Sequence, residues 1–310
     1  MVDDLDTSVP FTRAEGIAAG LTPRILRGPR FRTIFRSVYV ASTSPPSPRL
    51  RVQAALKLFD DLAWASHASA ARIHEIPIPT IADEHVSVPQ AKHRRHHPGV
   101  RTHVGQPWHV TTTAGVRVST PLQTFVELAE ILGLVDLVVV GDHLVRRTSL
   151  TPAQLIDFCA RSRHRAARRA AKAASYVRDD VDSPMETRLR MLIVLAGLPE
   201  PRVNLTLRTG DGEVLRKYDL SYPESKVVIE YDGRLHVERI EQWESDLVRR
   251  EAIDQADWRI LIVVSSGIYK TPGDTLARIH RLLLARGVAD VPMRLGNGWR
   301  PHFPGYGEAA

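Results

Sequence analysis

The chain contains a single cysteine, Cys159, and this scarcity excludes both an internal disulfide and a metal site built from paired cysteines. Long uninterrupted apolar runs are also absent. Four charged or polar side chains interrupt the most apolar stretch, residues 128–145: Glu130, Asp136, Asp142 and His143. A bilayer-spanning helix needs about 20 predominantly apolar residues. We therefore expect no membrane span and, because the first residues lack the basic and apolar regions of a secretory signal, a cytoplasmic protein.

Motifs of several enzyme classes are absent as well. No glycine-rich phosphate-binding loop supports NTP hydrolysis. Ser66 and His67 have no nucleophile elbow around them, which argues against a hydrolase of the Ser-His-Asp type. The histidine-rich run at residues 92–97 is interleaved with lysine and arginine, so we expect a basic turn there rather than a metal-binding tract.

The sequence has a moderate excess of positive charge. Its 42 Lys and Arg residues outnumber its 35 Asp and Glu residues, which gives a formal net charge of +7. Much of the excess precedes Lys172, whereas the residues after Asp179 mix both signs. This distribution is compatible with a polyanionic partner. The length of 310 residues is sufficient for about two domains.

Residues 1–44 carry the signals of two short helices and a strand pair. Thr12 and Glu15 form a capping box, which predicts a short helix. Pro23 predicts the start of a second helix, and residues 31–40 alternate apolar and basic side chains as a strand pair. This order is typical of a winged helix-turn-helix. Five arginines of the pattern are the predicted contacts with double-stranded DNA: Arg24, Arg27, Arg30, Arg32 and Arg36.

Residues 45–178 are predicted to form an α/β region that ends in a basic helix. Within it, residues 76–118 contain short alternating runs, which favour a small β-rich part. Residues 152–174 predict one continuous helix with four cations on one face: Arg161, Arg165, Arg168 and Lys172. That face is either an ordinary solvated surface or a second nucleic-acid contact.

Residues 179–290 predict the element order α-β-β-β-α-β-α, which is typical of a mixed sheet flanked by helices. Strands are expected at residues 203–207, 214–222, 227–232 and 258–264, and helices at residues 185–195, 239–256 and 271–286. The last strand is a continuous apolar run, which predicts that both of its faces are covered. Residues 291–310 are rich in glycine and proline, and we expect a loose tail there.

Three carboxylates are predicted to converge on one face of this sheet. A turn centred between Glu224 and Ser225 places Asp219 opposite Glu230. Asp232 lies two residues further along the strand and therefore points to the same face. Like charges in directly opposed positions are destabilising, so a divalent metal is the simplest compensation. The alternative is a solvated sheet face on which Lys217 pairs with Asp232.

Specific residues in this C-terminal part resemble the Vsr-like (very-short-patch-repair-like) endonuclease domain of the PD-(D/E)XK nuclease superfamily. They are Ser183-Pro-Met-Glu186, Lys217-Tyr-Asp219, Val228-Ile-Glu-Tyr-Asp-Gly233, His236, Asp246 with Arg249, and Trp258–Val263. The resemblance implies phosphodiester hydrolysis that depends on Mg²⁺ or Mn²⁺. It implies metal ligation by Glu186, Asp219, Glu230 and Asp232, and catalytic roles for Asp219, Glu230, Asp232 and His236.

The chain departs from the superfamily pattern at one position. The superfamily has a lysine two residues after the glutamate, and this chain has Asp232 there. Asp232 is either an additional metal ligand or a sign that the site is inactive. His236 is either catalytic or a structural hydrogen-bonding group. Arg249 either pairs with Asp246 along a helix or faces DNA.

The N-terminal part resembles the AbiEi family of antitoxins. The matching residues are Thr12-Arg-Ala-Glu15, Gly20-Leu-Thr-Pro-Arg24, Val38-Tyr-Val40 and Ser66-His-Ala-Ser-Ala-Ala71. Together the two resemblances predict a DNA-binding protein with a metal-dependent endonuclease-like domain. The alternative they leave open is a non-enzymatic transcriptional repressor of the antitoxin type, with a degenerate nuclease fold and a cognate toxin as partner.

Overall fold

The computed structural model describes residues 5–208, 214–233, 257–303 and 305 of the chain. These residues form a mixed α/β structure with two compact units. The first unit comprises residues 1–132 and 155–172, and the second comprises residues 133–154 and 173–310. None of the described helices has the length and apolar character that crossing a bilayer requires.

The first unit begins with a three-stranded antiparallel sheet and two short helices. In chain order the elements are β1 (Phe11–Thr12), α1 (Arg13–Ala18), α2 (Pro23–Leu26), β2 (Phe31–Phe35) and β3 (Val38–Ala41), with strand order β1-β3-β2. The predicted capping box is confirmed, because Glu15 N donates to Thr12 Oγ1 at 3.1 Å and Thr12 N donates to Glu15 Oε2 at 2.6 Å. Phe11, Leu26 and Phe31 pack together beneath the helices.

A five-stranded mixed sheet forms the rest of this unit. Its elements are α3 (Pro48–Leu56), β4 (Trp64–Ala65), α4 (His67–Ile73), β5 (Glu84–Val88), β6 (Val100–Val104), β7 (Val110–Thr113), β8 (Val116–Ser119) and α5 (Pro121–Leu128). The strand order is β6-β5-β4-β8-β7. Strands β5 and β6 are parallel, and their register places Ser87 beside His103.

The prediction of one continuous helix over residues 152–174 is wrong. The segment forms two helices, α7 (Pro152–Arg161) and α8 (Ala167–Ala174), in chain order after α6 (Leu134–Arg147). A turn separates them, because His164 N donates to Ser162 Oγ at 3.2 Å and Ala166 N donates to His164 Nδ1 at 3.3 Å. The four predicted cations therefore do not share one helical face, and Arg165 lies on the turn.

The second unit contains a four-stranded mixed sheet. Its elements are α6, α9 (Pro184–Leu195), β9 (Arg202–Arg208), β10 (Val214–Tyr222), β11 (Val227–Asp232), β12 (Arg259–Val264), α10 (Ser265–Tyr269) and α11 (Pro272–Ala285). The strand order is β12-β11-β10-β9, with β11 and β12 parallel and the other pairs antiparallel. The described elements follow the predicted order, and the helix predicted at residues 239–256 lies outside the described residues.

Two expectations for the end of the chain are wrong. Strand β12 buries Leu261 and Val263 but leaves Ile262 44% exposed, so its two faces are not both covered. The tail is also not loose over its described part, because Trp299 and Phe303 are buried.

The division into units differs from the linear boundary predicted at residues 178–179. Helix α6 belongs with the C-terminal sheet, although it precedes that boundary in the sequence. Two ion pairs join it to α9: Asp142 with Arg190 at 2.8 Å and Asp136 with Arg188 at 2.5 Å. The sequence alone does not reveal these pairs, because about 50 residues separate the partners in each.

Candidate functional site

The β10–β11 hairpin carries the three predicted carboxylates. Its register pairs Tyr222 with Val227 and Leu220 with Ile229. Continuing this register by one residue on each strand brings Asp219 and Glu230 to opposed positions, as the sequence predicts. The turn is a short 3₁₀ segment that ends at Lys226, whose φ of 52° is left-handed.

The carboxylate of Asp219 is held by the strand that carries the other two. Its Oδ2 accepts a hydrogen bond of 2.9 Å from Tyr231 N, the backbone amide between Glu230 and Asp232. Asp219, Glu230 and Asp232 are each half-buried. A carboxylate fixed by a backbone donor keeps its orientation without side-chain motion, which favours a prearranged binding geometry.

Glu186 approaches this group from the first turn of α9. Ser183 caps that helix by accepting from Glu186 N at 3.2 Å, and Asp182 N donates to Glu186 Oε2 at 3.0 Å. Burial raises the pKa of the Glu186 carboxyl above its ordinary value, and the nearby charges of Asp219 and Asp182 raise it further. Helix α9 packs against β10 and β11, the two strands that carry Asp219, Glu230 and Asp232.

A cation flanks the carboxylates at the start of α9. Lys217 Nζ donates to the side chain of Asp182, and Arg146 Nε lies 3.4 Å from the other carboxylate oxygen of Asp182. The sequence left open a pairing of Lys217 with Asp232, and the contact found here is with Asp182 instead. The lysine therefore stabilises the loop that positions Glu186.

The predicted ligands do not form a dense metal cage in the described part of the chain. Two groups of three donor atoms within 4.8 Å of one another occur there, and both contain His67 rather than the carboxylates of the hairpin. Mg²⁺ keeps several of its waters and binds through one or two carboxylates, so a sparse arrangement suits it. The predicted residues His236 and Arg249, and the helix partner Asp246, lie outside the described residues.

The predicted DNA-binding arginines divide into two kinds. Arg24, Arg27, Arg30 and Arg36 are exposed. Arg32 is only partly accessible, and its Nη2 donates to Ser44 O at 3.1 Å. A partly buried guanidinium held in this way is less available to a phosphate. Arg27 Nε also donates to a backbone carbonyl, Pro23 O at 3.1 Å, but its side chain is exposed. Helix α2, which carries Arg24, has only four residues.

The sequence reasoning missed a group of histidines in the first unit, which we call the His67 cluster: His67, His85, His103, Glu130 and His164. His67 begins α4 with a left-handed φ of 47°, and its backbone N donates to Glu127 Oε2 at 2.9 Å. Its ring stacks on that of His103 at a centroid distance of 3.8 Å. His103 Nε2 in turn lies 3.0 Å from His85 Nδ1.

Glu130 lies at the other side of His67. Its Oε2 is 3.6 Å from His67 Nε2, and its Oε1 is 3.3 Å from His164 Nε2. Arg165, whose side chain is 77% exposed, contacts both carboxylate oxygens. Burial opposes ionisation of Glu130, but the hydrogen bonds from Arg165 and the proximity of His67 hold its pKa well below the ordinary range.

The imidazoles of the His67 cluster are mostly held in their neutral form. Burial lowers the pKa of His85 to about 3, and burial likewise lowers the pKa of His103 to about 3. Burial also lowers the pKa of His164. No sequence spacing indicates the cluster, because its members come from α4, β5, β6, the residues after α5 and the turn between α7 and α8.

Comparison with known proteins adds no relative to these observations: no family model and no curated protein sequence matches the chain.

Proposed function

We propose that this chain is a DNA-binding protein whose C-terminal unit is a metal-dependent nuclease that hydrolyses phosphodiester bonds. The observation that carries the proposal is the β10–β11 hairpin, whose register brings Asp219 and Glu230 to opposed positions, with α9 packed against both strands and Glu186 in its first turn. Burial raises the pKa of the Glu186 carboxyl, and the charges of Asp219 and Asp182 raise it further. A divalent cation would favour the ionised form of these carboxylates.

The arrangement of elements around the carboxylates supports the same proposal. An α-helix, three antiparallel strands and a fourth strand parallel to the third succeed one another in the described chain. This order supports the proposal that the C-terminal unit has a restriction-endonuclease-like architecture. The carboxylates lie on its two middle strands and on the first turn of its first helix.

In the proposed mechanism, Asp219 and Glu230 would hold Mg²⁺ or Mn²⁺, and Glu186 would add a ligand from the first turn of α9. The bound ion would polarise the phosphoryl oxygen and supply hydroxide from its own water. Asp219 Oδ2 accepts a hydrogen bond from Tyr231 N, which fixes the orientation of the carboxylate on the hairpin. Asp232 adds negative charge where the superfamily has lysine, and we assign it as a further metal ligand.

The N-terminal helices and sheet would dock on the duplex as a winged helix-turn-helix. Their exposed arginines Arg24, Arg27, Arg30 and Arg36 are suited to phosphate contacts. Such contacts orient a protein on DNA without selecting a sequence. Binding through them would concentrate the phosphodiester backbone near the second unit.

A non-enzymatic repressor of the antitoxin type is the second candidate. The observation in its favour is that, within the described residues, the hairpin carboxylates form no group of three closely spaced ligand atoms. In that case the C-terminal unit would serve for packing or assembly, with a toxin as the protein partner.

Cleavage of plasmid DNA tests the first candidate against the second. The full chain is incubated with supercoiled plasmid and Mg²⁺ or Mn²⁺, beside Asp219→Asn and Glu230→Gln. The asparagine retains an acceptor for Tyr231 N, so the loss of charge is separated from loss of the hydrogen bond. Asp290→Asn, an exposed site elsewhere, is the matched control.

We expect nicking by the wild type and by Asp290→Asn, and none by the two site variants. Retarded migration of DNA without any cleavage by the wild type would instead favour the repressor. Equal cleavage by all four proteins would mean that the activity does not reside in these carboxylates.

A further inference from the structure

The imidazole of His67 contains a buried nitrogen atom that is not satisfied by a hydrogen bond within the described part of the chain. Its side chain is 2% exposed, and Nε2 has no hydrogen-bond partner among the described residues. Buried polar atoms are nearly always satisfied, so an exception calls for a specific explanation. The nearest acceptor, Glu130 Oε2, lies 3.6 Å away, which is beyond hydrogen-bonding distance. The nitrogen thus faces a carboxylate across a gap.

The distance between His67 Nε2 and Glu130 Oε2 is close to the distance between two ligand atoms bound to the same metal ion. Zinc binds imidazole nitrogen and carboxylate oxygen at about 2.0–2.2 Å, so two ligand atoms of a tetrahedral shell are roughly 3.3–3.5 Å apart. The separation from His67 Nε2 to Glu130 Oε2 is 3.6 Å, and that from Glu130 Oε1 to His164 Nε2 is 3.3 Å. Each imidazole thus faces a different oxygen of Glu130, and one ligand atom from each of the three residues can be chosen so that all lie within 4.8 Å of one another.

From this geometry we propose that His67, Glu130 and His164 form a binding site for a divalent transition-metal ion of the zinc class. Two imidazoles and one carboxylate favour Zn²⁺ and its neighbours over Mg²⁺, which prefers oxygen ligands alone. The neutral pair formed by His85 and His103 lies beside His67 and supplies further imidazole nitrogen. This site lies in the first unit and is independent of the proposed nuclease activity.

Binding of a metal ion would replace two existing contacts. Arg165 contacts both oxygens of Glu130, but its side chain is 77% exposed and is free to move into solvent. Ala166 N donates to His164 Nδ1 at 3.3 Å, a long hydrogen bond. Coordination through His164 Nε2 places the ring proton on Nδ1, so this contact would be replaced. Arg165 and a metal ion would thus compete for the same two oxygens of Glu130.

The rival explanation is a purely structural network. In it, a protonated His67 would lie between the carboxylates of Glu127 and Glu130, at 3.9 Å and 3.6 Å. No metal would then be needed, and each variant would change stability alone. The two explanations predict opposite effects for Arg165, because only the metal site has Arg165 as a competitor.

Calorimetric titration of the full chain with Zn²⁺, after removal of metals with a chelator, is the primary test. We expect one tight equivalent in the wild type and in His96→Ala, which removes an exposed histidine outside the cluster. Glu130→Gln and His164→Ala should each weaken that equivalent by at least about tenfold. Circular dichroism verifies that the variants are folded.

Arg165→Ala provides the discriminating variant. It should bind Zn²⁺ more tightly than the wild type, and Zn²⁺ should raise the Tm of both. Co²⁺ added in place of Zn²⁺ should give the visible absorption bands of a tetrahedral site. A wild type without a tight Zn²⁺ equivalent would overturn the proposal. So would unchanged affinity in both Glu130→Gln and His164→Ala, or weaker binding in Arg165→Ala.

Discussion

Arg190 Nη2 donates to Asp142 Oδ2 at 2.8 Å, and the two side chains are 0% and 2% exposed. The same carboxylate oxygen accepts from Thr187 Oγ1 at 2.8 Å. The other accepts from Arg178 N at 2.9 Å. A buried ion pair of this kind contributes to specificity only while every member is satisfied. The pair joins α6 to α9 inside the second unit.

Removal of one partner should be severely destabilising. Arg190→Met leaves a buried carboxylate without its cation, and we expect a loss of about 3–5 kcal/mol in the free energy of unfolding. Urea denaturation followed by circular dichroism measures it. Arg188→Met, which breaks the more exposed pair with Asp136, is the control and should cost clearly less. Equal losses in both variants would contradict the assignment.

The arginines of the N-terminal part should differ in their effect on DNA binding. Arg24→Ala, Arg27→Ala and Arg36→Ala should each reduce the slope of log affinity against log salt by about 0.9, because each loses one phosphate contact. Arg32→Ala should leave the slope unchanged, because its guanidinium donates to Ser44 O. Fluorescence anisotropy over a salt series measures the slopes. An unaltered slope in the triple variant would exclude this surface.

Cys159 should be inert in the native protein. Burial raises the pKa of its thiol to about 12, whereas the ordinary value is 9.0. The unfolded chain therefore loses this proton above pH 9 while the folded chain retains it, so stability declines as pH rises from 9 towards 12. At pH 10 this difference in protonation lowers the free energy of unfolding by about 1 kcal/mol.

Urea unfolding at pH 8 and pH 10 measures this effect, with Cys159→Ala as the variant that lacks the titrating group. The alanine variant should lose less stability over this interval. A thiol reagent should label the native wild type far more slowly than the urea-unfolded chain. Rapid labelling of the native protein would show that the thiol is accessible.

Ser37 offers a site for stabilisation. Its φ of 67° is left-handed, a conformation that costs other residues more than glycine. Ser37→Gly should raise the free energy of unfolding by about 0.5–1 kcal/mol, after allowance for the greater flexibility of glycine in the unfolded chain. Ser37→Ala is the matched control and should give no gain. Thermal denaturation of the wild type, Ser37→Gly and Ser37→Ala measures the difference in stability.

The parts of the fold that follow from local chemistry could be predicted from the sequence. The Thr12–Glu15 capping box, strand β10 and strand β11 have their predicted positions. Each depends on residues close together in the chain, such as a cap and its partner or a turn and its flanking strands. The opposition of Asp219 and Glu230 follows from the same local register.

The rest depends on contacts between distant residues. The break before α8 depends on His164. Its partner Glu130 lies 34 positions earlier in the sequence, directly after α5. Helical periodicity in residues 152–174 carries no information about that partner, so it predicts a continuous helix. The burial of Trp299 likewise could not be predicted, because glycine and proline around it indicate only irregular backbone.

Because α6 belongs to the same unit as the C-terminal sheet, the order of the chain limits how genetic recombination could exchange this unit between proteins. The chain enters the second unit at residue 133, leaves it after residue 154 and returns at residue 173. A single crossover in the gene can therefore transfer this unit whole only together with residues 155–172 of the first unit. A fragment that begins at residue 179 would carry Arg190 and Arg188 without the acids of α6 that neutralise them. Recombination between relatives would preserve both units only if it spared the entire interval from residue 133 to residue 173.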